Sequence, residues 1–203
     1  VTTTITPVAN ALDSLQRVAR DLAAAKAGEA LALKGALTGG WHAVGLLAYV
    51  RLRPHRAEFD AWVQDYLGAG EPTLNVERDA RWEERQRLSF FELLDLFSAV
   101  ELPILKPEFY QGWTDRTSRC HELRRKIAGI IGASLTGPQR DRLLLLLAAY
   151  HRLARLPAGV ALDAAAVRAA MPALLDLAQS VVDDAWPEAG ALRQALQQCG
   201  AAL

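Results

Sequence analysis

Cysteine is scarce in this chain. Cys120 and Cys199 are the only two among 203 residues, too few to staple a secreted chain of this size, so a reducing, cytoplasmic setting is expected. Long hydrophobic runs are missing as well. The longest, Ala43–Val50 and Leu143–Tyr150, fall far short of the ~20 residues a membrane-spanning helix needs. The opening Val1–Pro7 has neither the basic nor the apolar region of a signal peptide. There is no net charge: Lys plus Arg and Asp plus Glu number 23 each, so no overall field draws the protein to nucleic acid or to a membrane surface. Valine and isoleucine are few, and no stretch alternates apolar with polar residues over a strand's length, which argues against a sheet.

Alanine and leucine fill the place of the missing β-branched residues. Both lose little rotamer freedom in a helix. With 51% apolar and 23% charged residues, the chain has enough apolar surface to bury a sizeable core and offset the entropy of ordering. The fold class expected is all-α: a single helical bundle of about six to eight helices with no significant sheet. Residues 1–155 form the main bundle and 156–203 a C-terminal helical extension packed on the same domain.

Thr6 and Pro7 read as an N-cap followed by proline at the first helical position, where its missing N–H costs nothing. The first helix should run to about Ala27 and stop at Gly28. The second should run from Glu29 to about Leu52, with Leu33, Leu37, Gly40, Val44 and Leu47 on one stripe, and end at Arg53–Pro54. Gly39 and Gly40 inside it call for close packing by a neighbour, or a kink. A further helix is expected over 56–67, and 77–87, nearly all charge except Ala80 and Trp82, reads as a solvated helix or a mobile loop. Another starts at the Ser89/Glu92 capping box and ends before Pro103, and a long one runs from Pro107 to about Ala133. On that long helix Phe109, Trp113, Cys120, Leu123, Ile127 and Ile130 share one face, with Arg116 in its middle. Thr136 and Gln139 form a second capping box. It opens a helix through Leu143–Leu147 that is apolar all round and therefore belongs at the centre of the core. Asp163–Asp184, broken or restarted at Pro172, and Pro187–Cys199 complete the chain. The core should bring Leu143, Leu146, Leu147 and Tyr150 together with Trp41, Val44, Leu123 and Ile127.

Familiar catalytic patterns are absent. His42, His55, His121 and His151 are scattered, and no pair has the i, i+4 spacing that places two imidazoles on one metal. No metal site and no cofactor are expected. Gly39–Gly40 lies in an apolar helix and Gly68–Ala69–Gly70 lacks a following lysine, so neither is a phosphate loop, and there is no nucleophile elbow. The tryptophans (41, 62, 82, 113 and 186) read as core anchors, with Trp82 the best candidate for an exposed one. Charge is uneven locally. Arg116–Arg142 holds seven basic residues against Glu122 and Asp141, whereas Leu156 to the end holds two basic against five acidic ones. These stretches either face solvent, attract each other or mark a partner surface.

Two segments carry a resemblance. Leu33–Arg56, LKGALTGGWHAVGLLAYVRLRPHR, is an apolar helix with a small-residue centre, a histidine and a basic end. Leu88–Gly129, LSFFELLDLFSAVELPILKP…CHELRRKIAG, is a Ser-Phe capped helix followed by a long basic one. In pattern and order they resemble the helices of HEPN-superfamily domains, over about half of the chain. HEPN ribonucleases carry an Arg, usually followed by Asn, Asp or His, and a His five positions after the Arg. On a helix that spacing brings both side chains near a dimer seam, the His for proton transfer and the Arg for phosphate. Aligned on its surroundings, Arg124 takes the place of the family Arg, Arg125 stands where Asn is usual, and Gly129 stands where the His belongs. Arg116 and His121 have the correct spacing in a different register, but His121 is turned away from the apolar face that holds Arg116.

The resemblance implies a homodimeric HEPN-like domain without nuclease chemistry that binds RNA or nucleotide phosphate through Arg124, Arg125 and Lys126, or binds a protein partner. The alternatives are a metal-independent ribonuclease using Arg116 and His121, and a structural or protein-interaction bundle unrelated to HEPN.

Overall fold

The computed structural model describes residues 4–29, 31–55, 129–130, 132, 135–155 and 162–203. Among them are five α-helices, one short 3₁₀ turn and no strand, so the all-α expectation holds for the described residues. A count of six to eight helices extends over residues outside them, as do the helices expected over 56–67 and from Ser89, the charged stretch 77–87, and all but the end of the Pro107 helix.

Helix α1 (Pro7–Lys26) starts as its sequence predicts, with Ala9 N–H donating to Thr6 Oγ1 at 3.1 Å. It ends in a Schellman motif. Gly28 takes φ 101°, Glu29 N–H reaches back to the Ala24 carbonyl at 3.1 Å, and Gly28 N–H reaches Ala25 at 3.2 Å. Helix α2 (Ala32–Leu52) returns beside α1 and closes with the 3₁₀ turn Arg53–His55. Contacts pair Asp21 with Gly35, Val18 with Gly39 and Ser14 with His42. One number falls as the other rises, so the two helices are antiparallel. The whole predicted stripe from Leu33 to Leu47 is buried.

The Gly39–Gly40 pair allows close packing on two sides. A Cβ on Gly39 would stand 2.9 Å from Val18 Cγ2, and one on Gly40 2.7 Å from Leu174 Cδ2. Gly45, in the same helix, has nothing among the described residues within 4 Å of such a Cβ. Gly45→Ala should therefore stabilise by about 0.8–1 kcal/mol through helix propensity alone. Gly40→Ala should instead destabilise by about 1–2 kcal/mol, because forcing a methyl against the buried Leu174 outweighs the same gain. Urea unfolding of the two variants checks this, and shifts of equal sign would show that the helices do not meet at Gly40.

Helix α3 (Gly137–Arg155) opens on the predicted capping box. Thr136 N–H donates to Gln139 Oε1 at 3.0 Å, and Gln139 N–H donates to Thr136 Oγ1 at 3.4 Å. Helix α4 (Ala164–Val181) is capped by Asp163, whose carboxylate accepts from Ala166 N–H at 3.0 Å, and α5 (Ala189–Ala202) ends the chain. Helices α1, α2, α4 and α5 pack in a closed ring, each against the next, while α3 lies outside it against α4 and α2. Gly40 meets Leu174, and Arg51 meets Asp183 just past the end of α4, so α2 and α4 run parallel. Met171, Leu174, Leu192 and Cys199 from the last two helices are fully buried beside Leu15, Leu37 and Leu47.

Three expectations need correction. The five-leucine helix is not central: Leu143, Leu146 and Leu147 are buried, but Leu144 and Leu145 are 40% and 41% exposed. A helix that flanks a ring buries one stripe, and a run of five leucines always puts some residues off it. Tyr150 is accordingly only half-buried, while Trp41 and Val44 are buried as expected. The third correction concerns Pro172, which does not break α4. Proline removes one backbone hydrogen bond and crowds the carbonyl four residues back. Here it sits on the exposed face, flanked by buried Ala170, Met171, Ala173 and Leu174, whose packing holds the helix together.

Candidate functional site

The residues singled out for chemistry, Arg116, His121, Arg124, Arg125 and Lys126, lie outside the described residues, as do Leu123, Ile127, Cys120 and Trp62, Trp82 and Trp113. Gly129 lies inside. It is helical and exposed, and among the described residues nothing lies within 4 Å of where its Cβ would be. Gly129 and Ile130 belong to a helical stretch that meets Gly132 at φ 74°, the left-handed conformation that follows a helix C-terminus.

That helix end is held by a residue the sequence did not mark. Arg51, in the last turn of α2, donates from Nε and Nη2 to the Ile130 carbonyl at 3.2 and 2.8 Å. Its Nη1 pairs with the Asp183 carboxylate beyond α4. The side chains of Arg51 and Asp183 are 21% and 34% exposed, so water screens the pair only in part. One guanidinium thus joins the end of α2 and the residue just past α4 to the Ile130 carbonyl. A positive charge suits the negative end of a helix, and the planar fork suits two parallel donors to one acceptor.

A second arginine does the same at the other end of α4. Arg168 Nη2 donates to the Ala25 carbonyl in the last turn of α1. Of the acidic tail, Asp183 pairs with Arg51, and Asp184 pairs with Arg193 of α5, whose Nε lies 2.9 Å away. Neither arginine belongs to the basic stretch from Arg116 to Arg142.

Ser14 and His42 form the nearest thing to a nucleophile and base. Ser14 Oγ lies 2.9 Å from His42 Nδ1 and donates to the Asn10 carbonyl at 3.0 Å. A serine has one hydroxyl proton. With that proton on Asn10, Oγ can only accept from an Nδ1–H, which is the reverse of what a general base needs. Ser14 is also buried between α1 and α2 at 7% exposure. The pair is an interhelical tie. Asp21, packed over Gly35, has its carboxyl pushed above the usual range by burial, while Arg20 and Arg17 pull it down.

No group of three or more His, Cys, Asp or Glu side chains among the described residues is placed to hold a metal. No described helix is long and apolar enough to cross a membrane. Set beside known proteins, the chain is matched by no family model, no curated protein and no solved structure.

Proposed function

We propose that this chain is a non-catalytic HEPN-like helical domain that acts by binding, as a homodimer, with Arg124, Arg125 and Lys126 attracting the phosphates of RNA or of a nucleotide. The observation that carries the reading is Gly129. At the position where the resemblance places the proton-transfer His there is an exposed helical glycine, and general acid–base help typically contributes ~10²–10⁴ in rate. Three consecutive cationic side chains remain in the same stretch.

The test is single-stranded RNA, followed for both binding and cleavage in metal-free buffer. Neutralising three phosphates gives a log–log salt slope of about −2, so affinity should fall roughly twentyfold between 50 and 200 mM salt. Replacing Arg124, Arg125 and Lys126 together by Ala should abolish that dependence, and no product should appear. Cleavage that disappears in both Arg116→Ala and His121→Ala would overturn the proposal in favour of a ribonuclease. Neither cleavage nor salt-sensitive binding would leave a protein-interaction bundle. Light scattering on the purified chain tests the dimer, and a monomer at micromolar concentration would remove that part of the reading.

A further inference from the structure

We propose that the outer face of α3 is the seam through which two copies of this chain pair, antiparallel, about a twofold axis. The seam rests on the homodimer part of the proposed function and on no other part of it. Helix α3 lies outside the ring against α4 and α2, with Leu143, Leu146 and Leu147 buried on its inner side. Asp141, Leu145, Ala148 and Arg152 are all exposed on the side away from the ring. They stand at i, i+4, i+7 and i+11, which at about 100° per residue keeps all four within about 60° of one another. This is the spacing by which two helices pack along a common seam. Leu144, exposed as well, flanks it.

A stripe in this order is complementary to itself. Asp141 and Arg152 end it at equal distances from its midpoint, and Leu145 and Ala148 lie at equal distances inside them. A second copy laid antiparallel therefore sets each Asp141 against the other copy's Arg152, and each Leu145 against the other copy's Ala148. Opposite charges meet at both rims, and the small alanine leaves room for the leucine it faces. A parallel copy would set Asp141 against Asp141 and Arg152 against Arg152, which like-charge repulsion opposes. Self-complementarity under a twofold is what an isologous dimer asks of one patch, whereas a different partner chain imposes no such symmetry. The seam is small beside the ~1,200–2,000 Å² of a tight complex, so the dimer should exchange with monomer in the micromolar range.

Sedimentation equilibrium of the full chain over roughly 1–100 µM, the range expected for so small a seam, tests the proposal. Asp141→Arg should weaken dimerisation about tenfold, because both symmetry-related pairs turn repulsive, and Arg152→Asp should do the same. The double variant Asp141→Arg/Arg152→Asp restores opposite charges across the axis and should return to within about threefold of the parent. Leu145→Glu should weaken the dimer by at least about tenfold through its apolar centre. The three positions are exposed, so the variants keep the fold, which far-UV circular dichroism checks. A dimer unchanged in Leu145→Glu and in both single charge variants would overturn the seam and leave the homodimer reading standing. Single variants that the double variant fails to rescue would overturn the antiparallel pairing. A parent that stays monomeric up to about 100 µM would overturn the seam and the homodimer together and leave this face to another chain.

Discussion

Replacing Leu146 by Ala should lower the free energy of unfolding by about 2–5 kcal/mol, the range found when a large buried aliphatic side chain leaves a cavity behind. Leu146 is 0% exposed, and α3 touches the ring through α4 and α2, so the side chain is lost from a packed interior position. Leu145 supplies the control within the same run. It is 41% exposed, and Leu145→Ala should cost less than about 1 kcal/mol, as surface substitutions usually do. Urea unfolding of the two variants measures the contrast. A loss below roughly 0.5 kcal/mol for Leu146→Ala would mean that α3 contributes little to the core. Equal large losses would mean that the Leu145 side of α3 is covered too.

The contrast between these two leucines marks where sequence reading stops. Five consecutive leucines have no polar face, so their periodicity cannot say which of them point inwards; only the position of α3 outside the ring decides it. Helix ends were far more legible, because the groups that make them are neighbours in sequence. Thr6 caps α1, Gly28 ends it, Thr136 and Gln139 bond each other, and the stripe from Leu33 to Leu47 faces inwards. Pro172 misled for a local reason. Its cost is visible in the sequence, whereas the burial of the residues on either side, which offsets it, is not.

The ties that fix the helices in register were out of reach for the same reason. Arg51 and Ile130 are 79 residues apart, Arg168 and Ala25 are 143 apart, and Ser14 and His42 are 28 apart. Nothing near Arg51 distinguishes it from Arg53, which stands two positions later at the start of the 3₁₀ turn and is exposed. The one available signal was weak. An arginine in the last turn of an apolar helix, beside an acidic C-terminal stretch, is the charge pattern that a trans cap requires, but pattern alone names neither Asp183 nor a backbone carbonyl. Of the candidate site, only Gly129 was both read in the sequence and placed in the structure. It shows what stands at that position and leaves the basic run to the binding experiments.

Cys199 should resist alkylation at pH 8 by roughly a hundredfold relative to the unfolded chain, on thiolate population alone. The thiol is fully buried where α5 crosses α1, and Sγ–H donates to the Leu15 carbonyl at 3.2 Å. Burial disfavours the charged thiolate and pushes the group from 9.0 up to about 11. The same shift ties stability to pH. A raised value means that the folded state keeps its proton after the unfolded chain has released it, so the contribution of the thiol is intact below about pH 9 and is lost as pH rises towards 11. A shift of about two units corresponds to roughly 2–3 kcal/mol over that window. Other groups titrate there as well, so the informative quantity is the difference in alkaline slope between the parent and Cys199→Ala, which should be flatter. Iodoacetamide labelling with mass spectrometry reads Cys199 separately from Cys120. Labelling of Cys199 at pH 8 as fast in the folded protein as in urea would mean that α5 does not stay docked on α1, and the ring would be open at that seam.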